Sequence, residues 1–318
     1  MDNKLQPLEG GGQIRVHLLL LVSTSLVSTS FIVAKHITGT LDPLGLTLVR
    51  FGLAALILLP IVALRHGLRV SMTSLLRYGA VSGCLVIFFW AMFLSLRYTS
   101  SLNVSVIFTL VPAISGMYAA WFARERIGVN LLLVLSIGLI GALWVIFRGD
   151  VHLLREMSLN KGDLIFLGGC LAMGLYTPLL RVMYRNEPME VMTFWILVTG
   201  CAWLLPGALF GLGRTNWMAV PVSTWLWILY LALFSTVITF YLTQYGTRVI
   251  GPTRTISYSY LYPLLVMILD FLLGKGWPEL KVLPGVFLTL SAMLILLMPS
   301  LSRKRDKNQR GSSGAPSG

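Results

Sequence analysis

The chain has 318 residues, 56% of them apolar types and 12% charged, with a mean hydropathy of +0.80. A water-soluble domain carries about 25% charged residues, so this composition cannot coat soluble domains of this length, and lipid is the expected solvent. The net charge of +13 does not mark a nucleic-acid face. The basic residues sit in short links between apolar runs and in the C-terminal tail, which is the pattern of membrane topology.

A membrane-crossing helix needs roughly 20 mostly apolar residues. Ten stretches qualify in chain order: 14–34, 43–64, 76–96, 101–122, 129–148, 163–184, 189–211, 223–245, 254–273 and 281–299. Residues 1–13 are polar and read as a cytoplasmic segment. The first apolar run ends at Lys35 without the short core and small-residue cleavage site of a removed leader, so it reads as a span. Residues 149–162 form an external linker, and residues 300–318 a basic, disordered cytoplasmic tail whose charges suit anionic lipid or a stop-transfer anchor. Trp217, Trp225 and Trp227, near a span end, read as interfacial anchors.

Alternate links divide Lys and Arg unequally. The side of the N-terminus collects 16 of the 25 and the other side 8, with Arg50 inside the second span. Both termini are therefore expected in the cytoplasm. The stretch from Gly79 to Arg126 also returns, displaced by 151, as Tyr230 to Trp277. Pro112 falls on Pro263, Arg97 on Arg248, Phe89 on Phe240 and Leu110 on Leu261. A displacement of 145 sets Asp42-Pro43 on Glu187-Pro188 and Phe31 on Tyr176. Five spans per repeat invert the second copy. The expected fold is an all-α integral membrane protein of ten transmembrane helices, arranged as two inverted five-helix repeats over 14–148 and 163–299, with both termini inside.

Several runs carry a family resemblance. LDPLGLTLVRFGLAALILLP (41–60), GDLIFLGGCLAMGLYTPLLR (162–181) and YLALFSTVITFYLTQYGTRVIGPTRTISYSYLYPLL (230–265) resemble the EamA-type members of the drug/metabolite transporter superfamily. The likeness runs from about residue 16 to residue 299, and it lies in the order and spacing of degenerate apolar patterns. It implies a ten-helix secondary carrier with a central cavity. The cavity would be lined by spans one, three, four, six, eight and nine, with five and ten peripheral. Many relatives export amino acids or other small metabolites. Two links depart from the family pattern: Arg124-Glu125-Arg126 stands where Gly-Glu-Arg is frequent, and Gly274-Lys275 where Gly-Glu is frequent.

On those spans, Pro112 and Pro263 are hinge or gate candidates, because proline removes a backbone donor and kinks its helix. Their simple frequency in membrane helices is the structural alternative. Ser105 and Thr109 share a face before Pro112, and Tyr258 and Tyr262 do so around Pro263. Trp90, Tyr176 and Tyr241 add aromatic surface on the other lining spans. Aromatic walls with a few hydroxyls suit an amphipathic organic solute; packing, or hydroxyls bonded to their own helix, is the alternative.

Charges within spans are costly and weighed separately. Arg50 lies roughly 10 Å into the second span and could meet an anionic group of the solute, pair with Asp42 or Glu190, cap a carbonyl or snorkel. Lys35 reads as a snorkelling end residue. Asp270 is a candidate for proton coupling, with Lys275 as its alternative partner.

Cys84, Cys170 and Cys201 read as packing residues, and His17, His36, His66 and His152 form no cluster. Neither a His-Glu-x-x-His nor a Gly-x-Ser-x-Gly motif occurs, so neither enzyme, cofactor nor metal is expected. The expected function is secondary export of a small organic metabolite, such as an amino acid, by alternating access. An anion exchanger for a nucleotide-sugar or sugar phosphate is the alternative, and a multidrug exporter ranks third. The expected partners are a small-molecule substrate and the bilayer, with proton or counter-solute coupling, in a multi-pass chain of the bacterial inner membrane. The solute, coupling ion, direction and oligomeric state stay open.

Overall fold

The structure, a computed structural model, describes residues 10–123, 129–147, 149–150, 160–185, 187–212, 219–250, 252–276 and 279–297. The Arg124-Glu125-Arg126 link, Trp217 and the basic tail lie outside these residues. Every regular element among them is helical, as backbone satisfaction in lipid requires.

The first three helices are α1 (Gly10–Ile37), α2 (Pro43–Arg65) and α3 (Met72–Ser95). Asp42 caps α2 by accepting from the amides of Leu44 and Gly45 at 3.0 and 3.4 Å, with Pro43 placed where its missing N–H costs nothing. Ser71 caps α3 through the Ser74 amide at 3.1 Å. Next come α4 (Ser101–Phe108) and α5 (Val111–Ala123), one apolar run broken at Thr109–Leu110. At the break the amides of Thr109 and Leu110 turn to i−3 carbonyls, at 2.9 and 3.1 Å. Pro112 then enters the first turn of α5, where it needs no donor.

The run continues with α6 (Val129–Ile146), α7 (Lys161–Met183) and α8 (Met189–Leu212). Asn160 caps α7 through the Asp163 amide at 2.9 Å. Two long runs close the chain, each internally distorted. The first is α9 (Val222–Ala232), a π-helical segment Leu233–Ile238, and α10 (Thr239–Ile250). The second is α11 (Pro252–Ser257), a 3-10 turn Tyr258–Leu261, and α12 (Tyr262–Leu272), with Pro263 in the first turn of α12. A last 3-10 turn, Leu280–Val282, leads into α13 (Leu283–Leu297).

Among the described residues nine helical runs are long and apolar enough to cross a membrane, by length and composition. A further apolar stretch, Leu132–Ile146 of α6, is shorter. Outward-facing side chains such as Leu56, Trp121, Leu209 and Phe287 are apolar and exposed, which suits lipid and not water. The pairings that hold the bundle are α3 on α7, α2 on α8, α6 on α13, α5 on α7, α4 on α12, and α1 on α10 and α12. α6 and α13 touch through backbone: a Cβ on Gly141 would lie 2.7 Å from the Gly285 carbonyl oxygen, and one on Gly285 2.6 Å from that of Gly141. Small residues allow such approach in lipid, where close packing replaces the hydrophobic effect between helices.

Candidate functional site

The helices enclose a cavity of about 460 Å³, within the range that takes one small organic molecule. α1 contributes Leu20, Ser23, Thr24, Val27, Ser30 and Phe31, which fall on one face at helical spacing. Facing them are Phe88 and Phe89 of α3, Pro112 and Ser115 of α5, Tyr176 of α7, Thr239 and Thr243 of α10, and Tyr258 and Tyr262. The lining reaches Arg181, Met189 and Thr247, all near the end of the bundle that carries the α2–α3 and α7–α8 links.

Aromatic rings form a connected wall. Tyr262 meets Phe108 at 5.3 Å between centroids and Phe31 at 5.8 Å; Phe88 meets Phe108 at 5.5 Å and Phe89 at 5.0 Å. Most are edge-on, the arrangement that ring quadrupoles favour. Several hydroxyls are satisfied locally: Thr24 donates to the Leu20 carbonyl at 2.7 Å, Ser30 to Val27 at 2.6 Å, and Thr239 to Ser235 at 3.0 Å. A hydroxyl bonded to its own helix can line a cavity without a desolvation penalty and still present its oxygen.

Arg50 departs from this self-sufficiency. It is 1% exposed. Its Nε donates to Thr236 Oγ1 at 3.0 Å, and its Nη2 to the carbonyl and hydroxyl oxygens of Ser235 at 3.2 and 3.3 Å. Its guanidinium carbon lies 4.3 Å from the centroid of Phe89. Nη1 is buried and has no hydrogen-bond partner. Ser235 and Thr236 both lie in the π-helical segment. Neither acid expected as an alternative partner reaches Arg50, since Asp42 caps α2 and Glu190 Oε1 bonds His66 Nε2 at 3.1 Å. An Arg at the centre of a membrane helix costs about 2.5–3.5 kcal/mol on insertion scales.

The remaining sequence candidates distribute as follows. Pro112, Tyr176, Tyr258 and Tyr262 join Arg50 in the lining. Ser105 and Thr109 are buried outside it and donate to the carbonyls of Leu102 and Val106 at 2.7 and 2.6 Å. Trp90 is 37% exposed and Tyr241 69% exposed, on the outer surface. Pro263 is buried beside the lining residue Tyr262. Asp270 Oδ1 accepts from Lys275 Nζ at 2.6 Å.

Lys35 belongs to a polar seal at the opposite end of the bundle. Its Nζ donates to the carbonyls of Leu96 and Thr99 at 2.6 and 2.9 Å, at the C-terminal end of α3, where a cation also meets the helix dipole. Thr99 Oγ1 donates to Asp163 Oδ1 at 2.6 Å, and Asn103 Nδ2 to the same carboxylate at 3.3 and 3.4 Å. Arg97 donates to the carbonyls of Thr38 and Leu41 at 3.0 and 2.8 Å, and Thr38 donates to that of Phe93. The seal therefore ties α1, the α1–α2 link, the α3–α4 turn and the start of α7. At the cavity's end, His17 Nδ1 pairs with Tyr258 Oη at 2.5 Å and Ser23 Oγ with Thr243 Oγ1 at 3.3 Å across the lining.

Sequence reasoning overlooked Asp163, which is buried but begins a span, and the hydroxyls of α1. The doubled Ser-Thr-Ser pattern of 23–25 and 28–30 inside an apolar run was an available signal.

A family model described as the EamA-like transporter family matches residues 14–147 and again 160–298. The chain is 28% identical over 286 residues to a Bacillus subtilis (strain 168) protein named "Uncharacterized transporter YyaM", covering 88% of this chain and 93% of that one. It is 25% identical over 285 residues to an uncharacterized transporter of Archaeoglobus fulgidus, covering 88% and 96%. A solved crystal structure has the same fold with a TM-score of 0.67 at 20% identity, over 91% of this chain and 98% of that one.

Proposed function

The chain belongs to the EamA-like transporter family, and on that premise we propose that it is a secondary carrier exporting a small organic metabolite, such as an amino acid, by alternating access. The observation that carries this reading is the asymmetry of the bundle. The cavity reaches one end through Arg181, Met189 and Thr247, while a polar network through Lys35, Arg97, Thr99 and Asp163 closes the other. A carrier needs such a state and its mirror image.

Two inverted repeats within ten spans supply the mirror. The family model matching twice supports them. So does the packing: α3 on α7 is answered by α1 on the α9–α10 run, and α4–α5 on α7 by α1 on α12, with the two halves exchanged. With both termini inside, the open end faces the cytoplasm, where an exported metabolite would load. The protein is thus a multi-pass integral membrane protein, which we place in the inner membrane by its bacterial relatives. Pro112 and Pro263, each opening a new helical segment after a break, serve as pivots. The second reading, anion exchange, draws its support from the two cations of the lining, Arg50 and Arg181.

Proteoliposomes loaded with a mixture of amino acids, organic cations and sugar phosphates test these readings. Release of a zwitterionic or neutral solute, with or without an imposed pH gradient, is the expected result. Strict anion-for-anion exchange favours the second reading. An absence of flux for every class would remove the transport proposal.

A further inference from the structure

We propose that the solute is an organic monocarboxylate, held by its carboxylate at Arg50 and by its apolar body against the rings of Phe31, Phe108 and Tyr262. This rests on the transporter reading and narrows its substrate.

Arg50 carries a full positive charge, and Thr236 and Ser235 answer it only with neutral oxygens. Among the described residues no carboxylate lies within ion-pairing distance of it. One of its three nitrogens, Nη1, is buried without any acceptor. A buried donor is nearly always satisfied, and a buried charge is nearly always paired. A fixed cation kept incomplete in a cavity wall is what a transient anionic ligand would complete.

Ser235, which holds the guanidinium, lies about halfway along the run Val222–Thr247. Arg50 thus reaches the depth at which carriers hold their solutes between the two halves. Among the described residues the charged members of the lining are Arg50 and Arg181, with no Asp or Glu. Such a lining offers no ion-pair partner to an ammonium group.

The number of free donors separates carboxylate from phosphate. Nε and Nη2 are engaged, so one nitrogen with two N–H groups remains. That suits a single negative charge and leaves a phosphate dianion half answered. The rings of Phe31, Phe108 and Tyr262 supply an apolar surface for the rest of the molecule. Ser259 Oγ, also buried in the lining and unpartnered, offers one further polar contact.

The test compares ligands of one shape and different charge on the purified full chain in detergent, reading affinity from the concentration dependence of thermal unfolding. The ligands are 3-phenylpropionate, 3-phenylpropanamide, 3-phenylpropylammonium and 3-phenylpropyl phosphate. The carboxylate is expected to bind at least tenfold more tightly than each of the others. Arg50→Gln should bring the acid-to-amide ratio near one, and Arg50→Lys should restore part of it. Equal binding of acid and amide, tighter binding of the phosphate, no binding of the carboxylate, or an unchanged ratio in Arg50→Gln would each overturn the proposal. The wild-type ratio decides the matter even where a variant does not fold. Proteoliposome flux of 3-phenylpropionate at an unchanged rate in Arg50→Gln would overturn the assignment to Arg50 while leaving transport standing. Failure of all flux in the wild type would instead strike the transport reading, with the binding ratio still judging Arg50.

Discussion

Glu187, in the link between α7 and α8, shows how a few side chains set the behaviour of one end of the bundle. Partial burial works to raise its pKa, but hydrogen bonds from the Arg185 amide and the Arg77 guanidinium outweigh this and hold the carboxyl below its ordinary value. Arg77 also donates to the Met183 carbonyl at 2.6 Å, so the pair joins α3 to the end of α7. A carboxyl with a lowered folded-state pKa stabilises the fold above its unfolded value, and that contribution disappears as pH falls through the folded value. Thermal midpoints should therefore hold steady near neutral pH and fall on the acid side of the ordinary carboxylate range. Glu187→Gln should flatten part of that fall. At the other end, Asp163→Ala leaves Thr99 Oγ1 and Asn103 Nδ2 without their acceptor. The expected cost is about 1–3 kcal/mol, read as a lower thermal midpoint, while Asp163→Asn keeps an acceptor and loses less. Residues of this kind divide sharply in legibility. Arg50 stood out because charge inside an apolar run is rare. Asp163 did not, because its partners lie some sixty positions away in sequence and nothing local announces them.

At the scale of elements, the interruptions matter more than the helices. Both prolines open a fresh segment after a break, one after Thr109–Leu110 and one after the 3-10 turn Tyr258–Leu261. Proline and the repeat made these breaks visible in sequence. If they are pivots, Pro112→Ala and Pro263→Ala should slow transport severalfold with expression intact; wild-type flux in both would contradict the role. The π-helical segment had no such marker, since LFSTVI contains neither Gly nor Pro. It adds a residue to the turn and rotates the helix that follows. Tyr241, expected on the lining as the repeat counterpart of Trp90, lies outside as Trp90 does, each one position on from a lining phenylalanine, Phe240 and Phe89. Helix contacts give a further prediction. Gly285→Leu would press a side chain into the backbone of α6, at a cost of about 1–3 kcal/mol or more. Gly168→Ala, which meets nothing within 4 Å, should leave the thermal midpoint nearly unchanged.

For the whole molecule, composition and periodicity made the membrane class plain, because a chain with 12% charged residues has few other solvents open to it. The closed end of the bundle was not visible in that way; it depends on how helices distant in sequence meet. A carrier's cavity is reachable from one side at a time. With Cys84, Cys170 and Cys201 replaced by serine, Thr243→Cys places a single thiol on the lining. A membrane-impermeant maleimide is then applied to oriented vesicles from each side in turn. Reaction is expected to be at least tenfold faster from the side of the N-terminus, with reaction from the other side rising when Asp163→Ala loosens the seal. Equal rates from both sides in the otherwise unaltered chain would show a continuous passage, and no reaction from either would show a closed void; each result would contradict a carrier.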